Sequence, residues 1–203
     1  MNKYEINLWN QGFEDIIGID EAGRGPIAGP LVVAAVCFPK GYSHDEIYDS
    51  KKLSEKKRNQ LFKEIIRDAK EYHIIIIEPK QIDEENIYRA TQNAMSNLVH
   101  MFQNVDGVLS DAMPLPTIKK EVIPIVKGDQ KSVSIAAASI LAKVTRDHIM
   151  YGYDHLYPKY GFAKHKGYPT KMHLEALETF GVLPIHRKSY GPVAKMNQMH
   201  FDI

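Results

Sequence analysis

The chain has one cysteine, Cys37, in 203 residues. An intrachain disulfide is therefore excluded, which fits a reducing compartment. Cys37 lies in the apolar run Leu31 to Phe38, where a thiol acts as a small hydrophobe; a reactive nucleophile is the alternative. No run of 18 apolar residues occurs, so neither a membrane-crossing helix nor a membrane partner is expected. The segment from Met1 to Asn10 lacks a basic region followed by an apolar one, and a cytoplasmic location is the default expectation. The nine histidines form no zinc pattern, and there is no Gly-x-Ser-x-Gly elbow or P-loop. Internal repeats, low-complexity tracts and Ser/Gly-rich linkers are also missing.

What is present is ordinary in bulk. Apolar residues make up 44% and charged residues 25%, with a net charge of +1. The length suits one large domain, or one domain with a small appendage. Any contact with nucleic acid must come from local positive charge, because the whole molecule is not a polycation.

Strand patterns come first. Asp15 to Asp20, Leu31 to Phe38 and Tyr72 to Glu78 are strong, and Val105 to Ser110 and Val122 to Val126 are shorter. Helices are expected after Ser54, a good N-cap, then over Asn86 to Phe102, Ser132 to Met150 and Thr170 to Phe180, the last stopped by Gly181. About ten residues join the first two strands, too few for a helical crossover. Those strands should be antiparallel, and the sheet mixed, in a layered α/β domain. Beyond roughly residue 150 a helical C-terminal part is expected, with Tyr157 to Thr170 as an irregular, exposed connection.

Three acidic sites fall at the ends of expected strands. Asp20 and Glu21 end the first and enter Ala22-Gly23-Arg24-Gly25-Pro26; Asp111 ends the fourth; Asp129 follows the fifth in Lys127-Gly128-Asp129. Open α/β sheets place ligands at such ends. Adjacent ionised carboxylates repel one another, and a hard cation such as Mg²⁺ or Mn²⁺ removes that penalty. Neighbouring strand residues point to opposite faces, so Asp20 and Glu21 can share one site only if the strand breaks there, which Gly-x-Gly would ease. A solvated strand end is the bland alternative. Asp147 competes for the fourth position, but within one continuous helix it lies roughly 25 Å from Asp129. Beside Arg146 it reads as a structural ion-pair residue.

Gly23-Arg24-Gly25 offers backbone donors and a guanidinium to a phosphodiester or sugar. Lys51, Lys52, Lys56, Lys57 and Arg58 cluster at a helix start, where a bound phosphate would offset the unfavourable placement of cations. Between Tyr157 and His173, four lysines interleave with Tyr157, Tyr160, Phe162 and Tyr168, a pattern of backbone-following charges and stacking rings. Tyr168, between Gly167 and Pro169, is the ring least explained by core packing. His186, Arg187 and Lys188 add a further basic stretch.

These segments together resemble ribonuclease HII, the type 2 ribonuclease H. The resemblance is carried by Gly18-Ile-Asp-Glu-Ala-Gly-Arg-Gly-Pro26, Asp49-Ser-Lys-Lys-Leu-Ser54, Lys127-Gly-Asp129, the run from Ala136 to Asp147, His165-Lys-Gly-Tyr-Pro-Thr170 and Arg187-Lys-Ser-Tyr-Gly-Pro192, in that order. The Gly-Arg-Gly form is similar to this family and not to ribonuclease HIII, where lysine replaces the arginine. One position departs: the family usually has glycine after its third acid, and here Ala112 follows Asp111.

The resemblance implies an α/β ribonuclease H-like fold, a mixed five-stranded sheet flanked by helices, with a helical C-terminal extension. It implies one catalytic domain over 1–203, whose part from roughly 151 to 203 carries substrate contacts. The implied activity is hydrolysis of the RNA strand of RNA–DNA hybrids and incision of duplex DNA at embedded ribonucleotides. Products would carry 5′-phosphate and 3′-hydroxyl ends, and the role would be in DNA replication and ribonucleotide removal. Asp20, Glu21, Asp111 and Asp129 would hold two Mn²⁺ or Mg²⁺ ions, Asp20 bridging them. Asp129 would hold the ion at the attacking water, and Glu21 and Asp111 the ion at the leaving oxygen. Gly23, Arg24 and Gly25 would contact the ribose 2′-hydroxyl, Tyr168 would stack on the following sugar, and Lys51 would contact substrate. A monomer is expected. A sliding-clamp contact through the tail Asn197 to Ile203, with Gln198 and Phe201 as anchors, is weighed against a frayed terminus. The rival readings are an inactive nucleic-acid-binding module and a DNA nuclease or integrase-like transferase on the same fold.

Overall fold

The structure is a computed structural model that describes residues 1–199, with side chains described to residue 196. Its elements, in chain order, are α1 (Lys3–Asn10), β1 (Ile16–Ala22), β2 (Leu31–Cys37), α2 (Glu55–Asp68), β3 (Glu71–Ile77), α3 (Pro79–Glu85) and α4 (Ile87–Met101). They continue with β4 (Gly107–Asp111), β5 (Glu121–Ile125), α5 (Val133–Leu156), α6 (Phe162–His165), α7 (Lys171–Phe180) and α8 (Gly191–Met199). The five strands form one sheet in the order β3-β2-β1-β4-β5. β1 is antiparallel to β2, as the short connection requires, and parallel to β4, which is parallel to β5. The expected mixed α/β sheet is present.

The chain divides into two compact units. One comprises Met1–Ala22, Val32–Ile75 and Thr91–Val144; the other comprises Gly23–Leu31, Ile76–Ala90 and the chain from Thr145 onward.

In the first unit, Leu8 of α1 packs with Ile16, Leu109, Ile125 and Ile135. Gly18 of β1 lets α5 approach: a Cβ there would lie 2.2 Å from the Ser134 carbonyl carbon, closer than any side chain allows. Ser132 caps α5, its Oγ accepting from Ile135 N at 3.1 Å and donating to the buried Glu5 carboxylate at 2.6 Å. All seven residues of β2 are buried. Cys37 is among them, and burial pushes its thiol up to about 12, so it is a packed hydrophobe and no nucleophile.

The second unit has its own core. Ala28, Met150, Phe162 and Ile185 pack together, and Ile27 packs with Leu177 and Val193. Three expectations are corrected here. The helix expected to end at Met150 continues to Leu156. The segment after it is not an exposed irregular connection: it contains α6, and Tyr160, Phe162 and His165 are buried. The apolar ring faces outweigh the lysines between them, whose charged ends reach water while their stems do not fix the path. His186 and Arg187 are buried too, so that stretch is not a basic surface. Short or one-turn elements such as α3, α6 and α8, and the small α1, carry too few periods for a helical pattern to register in sequence.

Candidate active site

Because β1, β4 and β5 run parallel, their C-terminal ends lie at one edge of the sheet. Register does the rest. Ile19 pairs with Ser110, so the next residues, Asp20 and Asp111, end up side by side on adjacent strands. Asp129 follows β5 in a short turn of 3₁₀ helix, Gly128–Gln130. The turn is tied to β4 by Gly128 N donating to Asp111 Oδ1 at 2.7 Å. All four acids belong to the first unit.

The strand does not break between the paired acids. The antiparallel ladder continues through Glu21↔Val33 to Ala22↔Val32, so Asp20 and Glu21 leave the backbone on opposite faces. β1 does outrun its parallel partner, whose last pairing is at Ile19. The pair therefore stands at the end of the parallel ladder.

Electrostatic repulsion couples these acids. Asp20 is buried, and burial, then the charges of Glu21 and Asp111, push its carboxyl well above the usual carboxylate range. Asp129 is pushed up by burial and then by Asp111 and Asp49, while Lys51 pulls it back. A cation would relieve this repulsion, and four carboxylates are a hard-oxygen donor set of the kind that holds Mg²⁺ or Mn²⁺. Among the described residues no group of three or more acid, histidine or cysteine side chains is arranged to hold a metal ion.

Two residues not singled out from sequence join this group. Asp49 is buried, its Oδ1 accepting from Lys51 N at 3.0 Å and its Oδ2 from Gln130 Nε2 at 3.2 Å, so it fixes both Lys51 and the turn of Asp129. Ser139 of α5 lies 3.0 Å from Ser50 through their hydroxyls and supports the ionised form of Asp20. Of the basic cluster, Arg58 is spent on the carbonyls of Ser50 and Leu53, and Lys57 on Glu46. Lys51, Lys52 and Lys56 are exposed.

Gly23, Arg24, Gly25 and Tyr168 belong to the second unit, which begins immediately after Ala22. Gly23 has φ +102°, and a Cβ there would lie 2.2 Å from Arg146 Nε; glycine is required twice over. Arg187, fully buried, donates to the carbonyls of Gly23 at 2.7 Å, Arg24 at 3.1 Å and Gly29 at 2.9 Å. In a trans peptide the carbonyl and the next N–H point in opposite directions. With two carbonyls turned in toward Arg187, the N–H groups of Arg24 and Gly25 face away from it. Arg146 holds the far end of the loop through the carbonyls of Ala28 and Pro30. It also holds the Lys166 carbonyl at 2.9 Å. Burial, then the charge of Arg187, pushes Arg146 down to about 10. Its neighbour Asp147 is buried and favours the charged arginine. The sequence signal for Arg146 was its position four residues after Ala142 and four before Met150, both fully buried.

The same unit brings Tyr168 to the loop. Its ring is 45% exposed, and Cε1 lies 3.5 Å from where a Cβ on Gly25 would stand.

Comparison with known proteins settles the family. The family model for Ribonuclease HII matches residues 17–193. The chain belongs to the ribonuclease HII family. It is 52% identical to ribonuclease HII of Clostridioides difficile (strain 630) over 191 residues, 94% of this chain and 75% of that one. The crystal structure of ribonuclease H2 from Pyrococcus horikoshii OT3 superposes with a TM-score of 0.83 at 25% identity, covering 93% of this chain and 100% of that one. The ribonuclease HII of Archaeoglobus fulgidus, solved in complex with PCNA, has a TM-score of 0.74 at 26% identity, covering 87% and 95%. As a ribonuclease HII this chain is an endoribonuclease, a hydrolase acting on nucleic acid. No helix among the described residues is long and apolar enough to cross a membrane.

Proposed function

We propose that this ribonuclease HII cleaves the RNA strand of RNA–DNA hybrids and incises duplex DNA at embedded ribonucleotides, using Asp20, Glu21, Asp111 and Asp129 to hold two divalent ions. The observation that carries the reading is the gathering of Asp20, Asp111 and Asp129 where β1, β4 and β5 end, with the Asp20 carboxyl driven up by burial and by Glu21 and Asp111. Mg²⁺ or Mn²⁺ held there would supply an activated water and offset charge on the leaving 3′ oxygen. Asp20 would serve both ions, Asp129 the one on the water side, Glu21 and Asp111 the other.

The chain's own residues supply the rest. Gly23, Arg24 and Gly25 would read the ribose 2′-hydroxyl, the feature that tells RNA from DNA. The orientation of their peptides away from Arg187 supports this. Tyr168 would stack on the neighbouring sugar, which its exposure beside Gly25 supports. Lys51, exposed and close enough to act on Asp129, would meet a phosphate. The C-terminal part from residue 151 would thus carry substrate contacts. A sliding-clamp contact through the tail is proposed with the complex of the Archaeoglobus relative as support; Phe201 and the Gln198 side chain lie outside the described residues.

The test is cleavage of a 5′-labelled duplex carrying one ribonucleotide, beside a long hybrid and an all-DNA duplex, with Mg²⁺, Mn²⁺ or a chelator. Metal-dependent products with 3′-hydroxyl and 5′-phosphate ends from the first two substrates are expected. Cleavage of the all-DNA duplex, or cleavage in chelator, would overturn the proposal.

A further inference from the structure

Three histidines that the chemistry above does not use lie together in the second unit. His165, His173 and His186 are all buried. The rings of His165 and His173 stack 4.3 Å apart, and Nε2 of His173 lies 3.0 Å from Nε2 of His186.

Their partners fix every proton. Gly167 N–H donates to His165 Nδ1 at 3.1 Å, so that ring is protonated on Nε2, which faces the Tyr160 carbonyl at 2.8 Å. Leu183 N–H donates to His186 Nδ1 at 2.9 Å, so His186 also carries its proton on Nε2 and donates it to His173. His173 therefore accepts at Nε2 and donates from Nδ1 to the Tyr168 carbonyl at 2.9 Å. Each ring nitrogen is used once, and all three rings are neutral. A second proton on any ring would meet an N–H already pointing at it. Burial acts in the same direction, pushing His173 and His186 down to about 4 and lowering His165. The charged groups acting on the cluster are Asp154, which favours protonation of His165, and Lys166, which opposes it; the faces are covered by Tyr160 and Phe162. With no nitrogen lone pair to spare, the cluster is not a metal site.

The chain of bonds runs from Leu183 through His186 and His173 to the Tyr168 carbonyl, and His165, stacked on His173, accepts from the Gly167 N–H. We infer that His186, His173 and His165 are positioning residues that hold this backbone so that the Tyr168 ring faces substrate, and thereby set the preference for isolated ribonucleotides. The inference rests on the substrate role proposed for Tyr168.

His173→Phe keeps a ring and removes the donor to Tyr168, whereas His173→Asn places an amide N–H near the position of Nδ1. His173→Phe is expected to lower kcat/KM about tenfold on the single-ribonucleotide duplex, mostly through KM, and distinctly less on the long hybrid. His173→Asn should recover most of the loss. In a Tyr168→Ala background, His173→Phe should add less than about twofold. Equal losses on both substrates, no rescue by asparagine, or full additivity with Tyr168→Ala would overturn the inference and leave the role of Tyr168 standing. If Tyr168→Ala itself leaves single-ribonucleotide incision unchanged, that role fails and the inference with it. Should the phenylalanine variant not fold, His186→Leu carries the test one bond away, with an expected loss of about threefold on the same substrate and with overturning on the same grounds.

Discussion

Arg187 reaches the Gly23 carbonyl oxygen at 2.7 Å from inside the protein, 164 residues along the chain. Its buried guanidinium donates to the carbonyls of Gly23, Arg24 and Gly29 and to the Tyr190 hydroxyl, and the loop of Gly23 to Gly29 is shaped on it. Replacing Arg187 by leucine would leave several buried carbonyls without donors. A loss of about 3 to 5 kcal/mol is expected in urea unfolding, with loss of cleavage on every substrate. Lysine, which cannot fork across these acceptors, should recover only part of it.

Asp20 should be the least replaceable acid, since burial and then the charges of Glu21 and Asp111 hold its carboxyl well above the usual range. Asp20→Asn is expected to lower metal-dependent cleavage by roughly a thousandfold or more while hybrid affinity in chelator is kept. Steady-state cleavage and a mobility-shift assay measure the two. Normal activity at ordinary metal concentration would remove Asp20 from the site.

The raised carboxyls of Asp20 and Asp129 make a statement about stability. In the pH range above the ordinary value of 3.8, the folded chain holds protons that the unfolded chain has released. Stability contributed by these groups therefore falls as pH rises through that range. Without metal, the unfolding temperature of the native chain relative to Asp20→Asn should drop between about pH 4 and neutrality. Mg²⁺ or Mn²⁺ should restore it at neutral pH and do little at the acid end. A difference between the two proteins that stays constant with pH would contradict the electrostatic account.

Ala112 explains a departure in the sequence. It follows Asp111 with φ +54°, in the left-handed region that favours glycine. The strain is accepted at the turn where Ser110 Oγ donates to the Met113 carbonyl at 2.6 Å. Ala112→Gly is expected to stabilise the chain by about 0.5 to 1 kcal/mol, read from the urea midpoint, with cleavage unchanged or slightly raised. A destabilised variant would mean that the alanine methyl contributes packing that outweighs its strain.

Much of this protein was legible in its residues. The apolar runs specified β1, β2 and β4, which are buried along most of their length, because a strand buried on both faces must be apolar throughout. The ten-residue link made the first pair antiparallel, and strand ends followed by Asp20, Asp111 and Asp129 indicated where a ligand would sit. These are local facts, set by the short reach of a chain and by the placement of polar groups at strand ends.

The partners of the buried polar groups were not legible. His186 and Arg187 read as a basic stretch and His165 as part of an exposed connection, yet these three, with Arg146 and His173, are interior. Burying a charged or polar side chain is tolerable only where specific acceptors await it. For Arg187 those acceptors are carbonyls of Gly23, Arg24 and Gly29; for His173 they are Tyr168 and, in turn, His186 as donor. A backbone carbonyl is the same in every residue, so no sequence pattern announces it. The sequence thus determined which carboxylates end the strands, and tertiary structure alone decided that Asp20 lies beside Asp111 in register and that a buried arginine holds the carbonyls of Gly23, Arg24 and Gly29.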